Sequence, residues 1–130
     1  MHDLAALLER VRRFSLDSLR FYRRLPKNPD TPVPAIQYLR SSHSVWLNYR
    51  ACRRGRSRAE FISKMGTVVE EIDECVGNLE YMRDGNIASE PKLYAEANEL
   101  CAIFTQSLAT AKKNAARDAA RRPKFTVLSS

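Results

Sequence analysis

Histidine is nearly absent from this chain, with His2 and His43 the only two among 130 residues. Neither has a cysteine or carboxylate at ligand spacing on its own stretch, which removes the usual routes to a zinc site or an imidazole acid–base centre. Cysteine is scarce and odd in number: Cys52, Cys75 and Cys101 stand far apart, with no C-x-x-C pair. A disulfide framework is therefore not indicated, and the three read as small buried hydrophobes. Long apolar runs are missing, and the opening MHDLAALLERVRR carries charge where a signal peptide needs an unbroken apolar segment. The expectation is a cytoplasmic protein without a membrane partner. There is no P-loop, glycine-rich dinucleotide turn or G-x-S-x-G, so phosphate cradle, cofactor motif and nucleophile elbow are all wanting. A non-enzyme with no cofactor and no metal is expected.

Acid is missing from one stretch in particular. Between Asp30 and Glu60 there is no Asp or Glu, and Arg50, Arg53, Arg54, Arg56 and Arg58 fall within nine residues. The whole chain carries +7, from 22 basic and 15 acidic side chains, with a pI near 9.7. Charge is also segregated: residues 1–25 carry +3, 26–58 carry +6, 59–99 carry −7 and 100–130 carry +5. Such a bias speaks to solubility and to polyanions, nucleic acid first, rather than to fold.

What the chain has in abundance is three-four spacing. A 44% hydrophobic share in one domain's length is enough for a core. Leu4, Leu7, Val11, Phe14, Ser18, Phe21 and Leu25 keep a heptad repeat in a first helix that Asp3 can cap. Prolines 26, 29, 32 and 34 make the next segment a stiff connector. Ala35, Tyr38, Ser42, Val45, Tyr49 and Cys52 then form the buried face of a second helix. RRGRS breaks it at Gly55, and Ser57 with Glu60 opens a third helix in a capping-box pattern. Phe61, Met65, Val68, Ile72, Cys75, Leu79 and Met82 carry that helix to the turn Asp84-Gly85-Asn86. Ser89 before Pro91 starts a fourth, along Leu93, Ala97, Leu100 and Phe104.

These patterns predict an all-α fold, an antiparallel up-down-up-down four-helix bundle over residues 1–122, followed by a loosely ordered tail at 123–130. The helices are expected at about 3–25, 34–53, 58–83 and 90–120.

In that topology the start of the first helix, the turn between the second and third, and the end of the fourth share one end of the bundle. Arg10, Arg12 and Arg13 would meet Arg50, Arg53, Arg54, Arg56 and Arg58 there, together with Lys112, Lys113, Arg117, Arg121 and Arg122. Arginine forks at such an end would contact RNA or DNA phosphates with little base reading. Trp46 and Tyr49 lie on the apolar face of the second helix and read as core or interface rather than as base-stacking groups. On its opposite side Ser41, Ser44, Asn48 and Ala51 form a small-residue stripe, expected to make close contact with another subunit. The acids Glu70, Glu71, Asp73 and Glu74 lack the E-x-x-H motif of di-metal bundles, and pairing with Arg40 or Arg50 is the expectation for them. Two functions fit: low-specificity nucleic-acid binding at the basic end, RNA favoured, or a structural adaptor working through protein contacts alone.

Three blocks carry a resemblance. Gln37-x-Leu39-Arg40-Ser41-x-x-Ser44-Val45-x-x-Asn48-Tyr49-Arg50, then Arg56-Ser57-Arg58-Ala59-Glu60-Phe61-Ile62-x-Lys64, then Glu70-Glu71-x-Asp73-Glu74 with Leu79-Glu80, resemble the bacterial 23S rRNA intervening-sequence proteins across roughly residues 10 to 113. Ala51 and Cys52 stand where many relatives carry an acid and a glycine. The resemblance implies a cytosolic up-down bundle assembling as a homopentameric ring, with no known reaction. A related bundle is the accessory protein of diversity-generating retroelements, where a basic pentamer is held to bind nucleic acid and a reverse transcriptase.

Overall fold

The structure, a computed structural model, describes residues 4–122. The expected Asp3 cap and the tail at 123–130 lie outside the described residues. Four helices follow in order: α1 (Leu4–Arg23), α2 (Pro32–Arg53), α3 (Arg58–Asp84) and α4 (Pro91–Arg121). Each packs on the next and α1 closes the ring against α4, while the backbones of the diagonal pairs do not approach one another. This is an all-α four-helix bundle.

The heptad positions point inward and fill its centre. Val11 and Phe14 of α1, Tyr38 and Val45 of α2, Val68 and Ile72 of α3, and Leu100 and Phe104 of α4 are all buried in one cluster. Each such side chain contributes about 1.5–3 kcal/mol of burial free energy. One polar pair sits among them: the Ser18 and Tyr38 hydroxyls share a buried 2.7 Å hydrogen bond, and Phe21 meets the Tyr38 ring edge-on at 5.7 Å. Cys52 and Cys75 are buried and Cys101 half-buried, all three as free thiols.

The helix ends follow local chemistry, with small departures from the spacing-based reading. α1 stops at Arg23, and Arg24 and Leu25 continue as a tighter turn whose N–H groups reach the carbonyls of Phe21 and Tyr22 at 3.0 and 3.2 Å. α2 starts at Pro32 rather than at Pro34, because Thr31 is already helical and accepts the Ala35 N–H at 3.1 Å. Both prolines then occupy a first turn whose N–H groups have no helical partner anyway. The Ser57 hydroxyl accepts from the Glu60 N–H at 3.1 Å and opens α3. At the other end of α3 it is Asn86, with φ 60, and not Gly85, that adopts the left-handed conformation. Asparagine tolerates it better than other side chains. Glu90, not Ser89, caps α4, its carboxylate accepting the Lys92 N–H at 3.3 Å. A carboxylate there is favoured also by the helix dipole.

The α1–α4 seam is the loosest of the four and is closed by ions. The Arg10 guanidinium donates to both Glu96 carboxylate oxygens at 2.8 and 2.7 Å and meets Glu99 at 2.8 Å. Arg24 and Glu90 lie 3.9 Å apart lower on the same seam.

Candidate functional site at the basic pole

Two contacts bring distant segments to one pole. The Arg53 guanidinium, at the end of α2, donates to the Leu4 carbonyl at the start of α1 at 2.8 Å. Arg58, at the start of α3, is ion-paired with Asp118 near the end of α4. Between them runs the tight turn 54–57, held by the Arg54 and Gly55 N–H groups on the Ala51 and Cys52 carbonyls at 3.0 and 3.2 Å. The Cys52 thiol adds a bond to the Phe61 carbonyl at 3.6 Å, fixing the approach of α3. A side chain at Gly55 would put its Cβ 3.2 Å from the Cys52 carbonyl oxygen, so the compact turn suits glycine.

The cations of this pole differ in how they are engaged. Arg50, Arg53, Arg54, Arg56 and Arg58 are exposed, as are Lys112, Lys113, Arg117 and Arg121. Arg53 spends one N–H on the Leu4 carbonyl, and Arg117 donates to Asn114 at 3.2 Å. Arg58 has the carboxylate of Asp118, whose pKa it holds below the usual aspartate range, with Arg117 and Arg122 adding to the effect. Arg50, Arg54, Arg56, Lys112, Lys113 and Arg121 are ion-paired with no other described residue. Lys112 and Lys113 stand on the flank, about 8 Å from the level of Asp118 at 1.5 Å per residue.

The contribution of α1 differs from the sequence expectation. Arg10 is not at the pole but clamped, partly exposed, in the α1–α4 seam, where Glu96 and Glu99 hold its guanidinium more firmly protonated than usual. Arg12 and Arg13 are exposed, but they lie about 12 Å along the helix from Leu4 and both approach Glu9, at 3.4 and 3.9 Å. They form a flank with its own counter-charge.

The acids of α3 also depart from expectation. None of Glu70, Glu71, Asp73 or Glu74 has an ion-pair partner among the described residues, neither Arg40 nor Arg50 included. A hydroxyl of the small α2 stripe meets one of them instead: Ser41 donates to Glu74 at 2.9 Å. Half-burial and the neighbouring Glu74 and Glu70 still push the Glu71 carboxyl above its ordinary range. The stripe therefore has a partner inside the chain. Asn48 ties back to the Ser44 carbonyl and hydroxyl at 3.0 and 2.9 Å, and Ala51 is half-buried. Among the described residues no group of three His, Cys, Asp or Glu side chains is placed to hold a metal ion. No described helix is long and apolar enough to cross a membrane.

Tyr49 is 2% exposed and packs at 5.2 Å on Phe104, while Trp46 is half-buried along the α1–α2 groove. Neither presents a ring to the pole. At the opposite pole charge is balanced, with Arg24 beside Glu90 and Arg83 beside Asp84 at 2.8 Å.

No family model matches the chain, and no curated protein matches it in sequence. Solved structures do match, among them a protein of unknown function from the S23 ribosomal protein family of Bacteroides thetaiotaomicron. The chain has the fold of that protein. The match has a TM-score of 0.71 over 78% of this chain and 96% of the other, at 21% sequence identity. At that identity the S23 likeness establishes the four-helix architecture and carries no residue roles.

Proposed function

We propose that this chain is a non-enzymatic, cytoplasmic member of the 23S rRNA intervening-sequence group that binds nucleic-acid backbone through its basic pole. RNA is the favoured partner, and base sequence is read little. The observation that supports this is the pole itself: exposed arginines and lysines from the α2–α3 turn and the end of α4, most of them facing no described carboxylate. Phosphate neutralisation supplies affinity without needing a shaped pocket. The S23 neighbour supports the fold and leaves the activity open, since its own function is unknown. Assembly into a homopentameric ring, as in the group the sequence resembles and in its retroelement-associated kin, would repeat the pole and convert weak contacts into avidity.

The test is a titration of an unrelated RNA hairpin against salt. Affinity falling steeply as salt rises is the expected result. No binding at low salt, or an affinity indifferent to salt, removes the reading. A structural adaptor acting through protein contacts alone is the second reading, favoured by the apolar side chains that α2 exposes, Val33, Ile36 and Leu47.

A further inference from the structure

α2 is apolar on more than its core side. Val33 is 67% exposed, and Ile36 and Leu47 are each 46% exposed. With the exposed Arg40 and His43 they form a line, Val33, Ile36, Arg40, His43 and Leu47, at alternating three- and four-residue spacing. That is a helix-packing seam facing outward. It borders a groove of about 630 Å³ on its α1 side, floored by Leu16, Leu19 and Trp46.

α3 carries a counterpart. Thr67, Glu70, Glu74, Gly77 and Tyr81 follow the same alternation on its outer side, and Tyr81 is 64% exposed. A Cβ at Gly77 would have nothing within 4 Å, so the line is open at that point. The fixed charges on this line are negative and lack ion-pair partners among the described residues, whereas the fixed charge on the α2 seam is Arg40.

Heights within the bundle decide how the two could meet. In the chain itself Ser41 stands opposite Glu74 and Cys52 opposite Phe61. On that scale Arg40 is level with Glu74, His43 with Glu70, Leu47 with Thr67, Ile36 with Gly77 and Val33 with Tyr81. We infer that the outer seam of α2 docks on the outer line of α3 of a second copy of this chain, the two bundles lying side by side with their basic poles at the same end. Arg40 is then set against Glu74 and the His43 imidazole against Glu70, while each bulky apolar group meets a small or aromatic one. Packing α2 seams against each other would instead bring arginine toward arginine. The contact is head-to-tail, using a different face of each copy, so it extends until a ring closes. It gathers the basic poles on one rim, and it rests on the self-assembly part of the reading above.

The test uses the full chain and its solution mass by light scattering at about 10 μM, where specific interfaces of micromolar strength are populated. The parent is expected to run as a multiple of the 14.9 kDa chain. Arg40→Glu and Glu74→Lys are each expected to fall to the mass of one chain with the helical circular dichroism retained, and mixing the two variants is expected to restore the larger species. If either variant loses helicity, Leu47→Cys mixed with Thr67→Cys under mild oxidation replaces it, and a disulfide-linked pair formed only in the mixture is expected. An oligomeric parent whose variants keep its mass, or a cysteine mixture that yields no such pair, overturns the α2–α3 contact while leaving self-assembly in place. A parent that stays a single chain at every concentration overturns self-assembly itself, and the contact with it.

Discussion

Arg54, Arg56 and Arg121 offer a clean perturbation of the basic pole. All three are exposed, and none is ion-paired with another described residue. Replacing them with alanine thus strands no carboxylate, unlike loss of Arg58, which would leave Asp118 unpaired, and breaks no bond like that from Arg53 to the Leu4 carbonyl. If each side chain neutralises one phosphate, each contributes about 0.7–0.9 to the slope of log affinity against log salt. The triple variant should then lose about 2–3 from that slope. Extrapolated one decade down from molar salt, the loss at about 0.1 M is roughly 100- to 1,000-fold in affinity. Fluorescence anisotropy of a labelled hairpin RNA, from about 50 to about 300 mM salt, measures both quantities. Arg20→Ala with Arg23→Ala, near the balanced pole, is the control, compared per site because it removes two charges rather than three and frees Asp17 from its pair with Arg20. A triple variant with an unchanged slope, or a control that loses as much slope per site, would refute assignment of the phosphate contacts to this pole.

Other consequences follow from single contacts. Ser18→Ala leaves the Tyr38 hydroxyl buried without its 2.7 Å partner and should cost about 1–3 kcal/mol in urea unfolding, whereas Ser18→Ala with Tyr38→Phe should recover most of that loss. Arg10→Ala removes the clamp on Glu96 and Glu99 and should lower stability by about 1–2 kcal/mol, after allowing for partial exposure, yet leave the RNA salt slope unchanged. Glu71 has a raised folded-state pKa, so between its unfolded and folded values the native state binds more protons and stability falls as pH rises through the carboxylate range. Glu71→Gln should therefore raise the melting temperature at pH 7, and the gain should shrink on acidification to below the ordinary glutamate pKa. Asn86→Val, at a left-handed residue, should destabilise by about 1–2 kcal/mol, and Asn86→Gly should not.

Much of the architecture was legible because it depends on local rules. Heptad spacing through Met65, Val68, Ile72 and Cys75 demands a buried helix face whatever the neighbours are. Gly55 and Ser57 mark the sharp turn through their own backbone and hydroxyl chemistry. The site was legible less evenly. A basic α2–α3 turn beside the end of α4 follows from antiparallel order, whereas the place of Arg10 does not. Its spacing from Arg12 and Arg13 gives no sign that Glu96 and Glu99, nearly ninety residues on, stand within reach across a seam.

The sequence by itself determined the number of helices, their buried faces, and the separation of positive from negative segments, since each depends on periodicity and on fixed charges along one chain. Only the tertiary structure decided which charges are neutralised. Arg10 is clamped by Glu96 and Glu99, Glu74 is met by the Ser41 hydroxyl rather than by an arginine, and the cations of the α2–α3 turn remain largely open. Partner choice of this kind depends on axial register and on which sides of two helices face each other, and a change of one residue in register moves a side chain by about 100° around its helix.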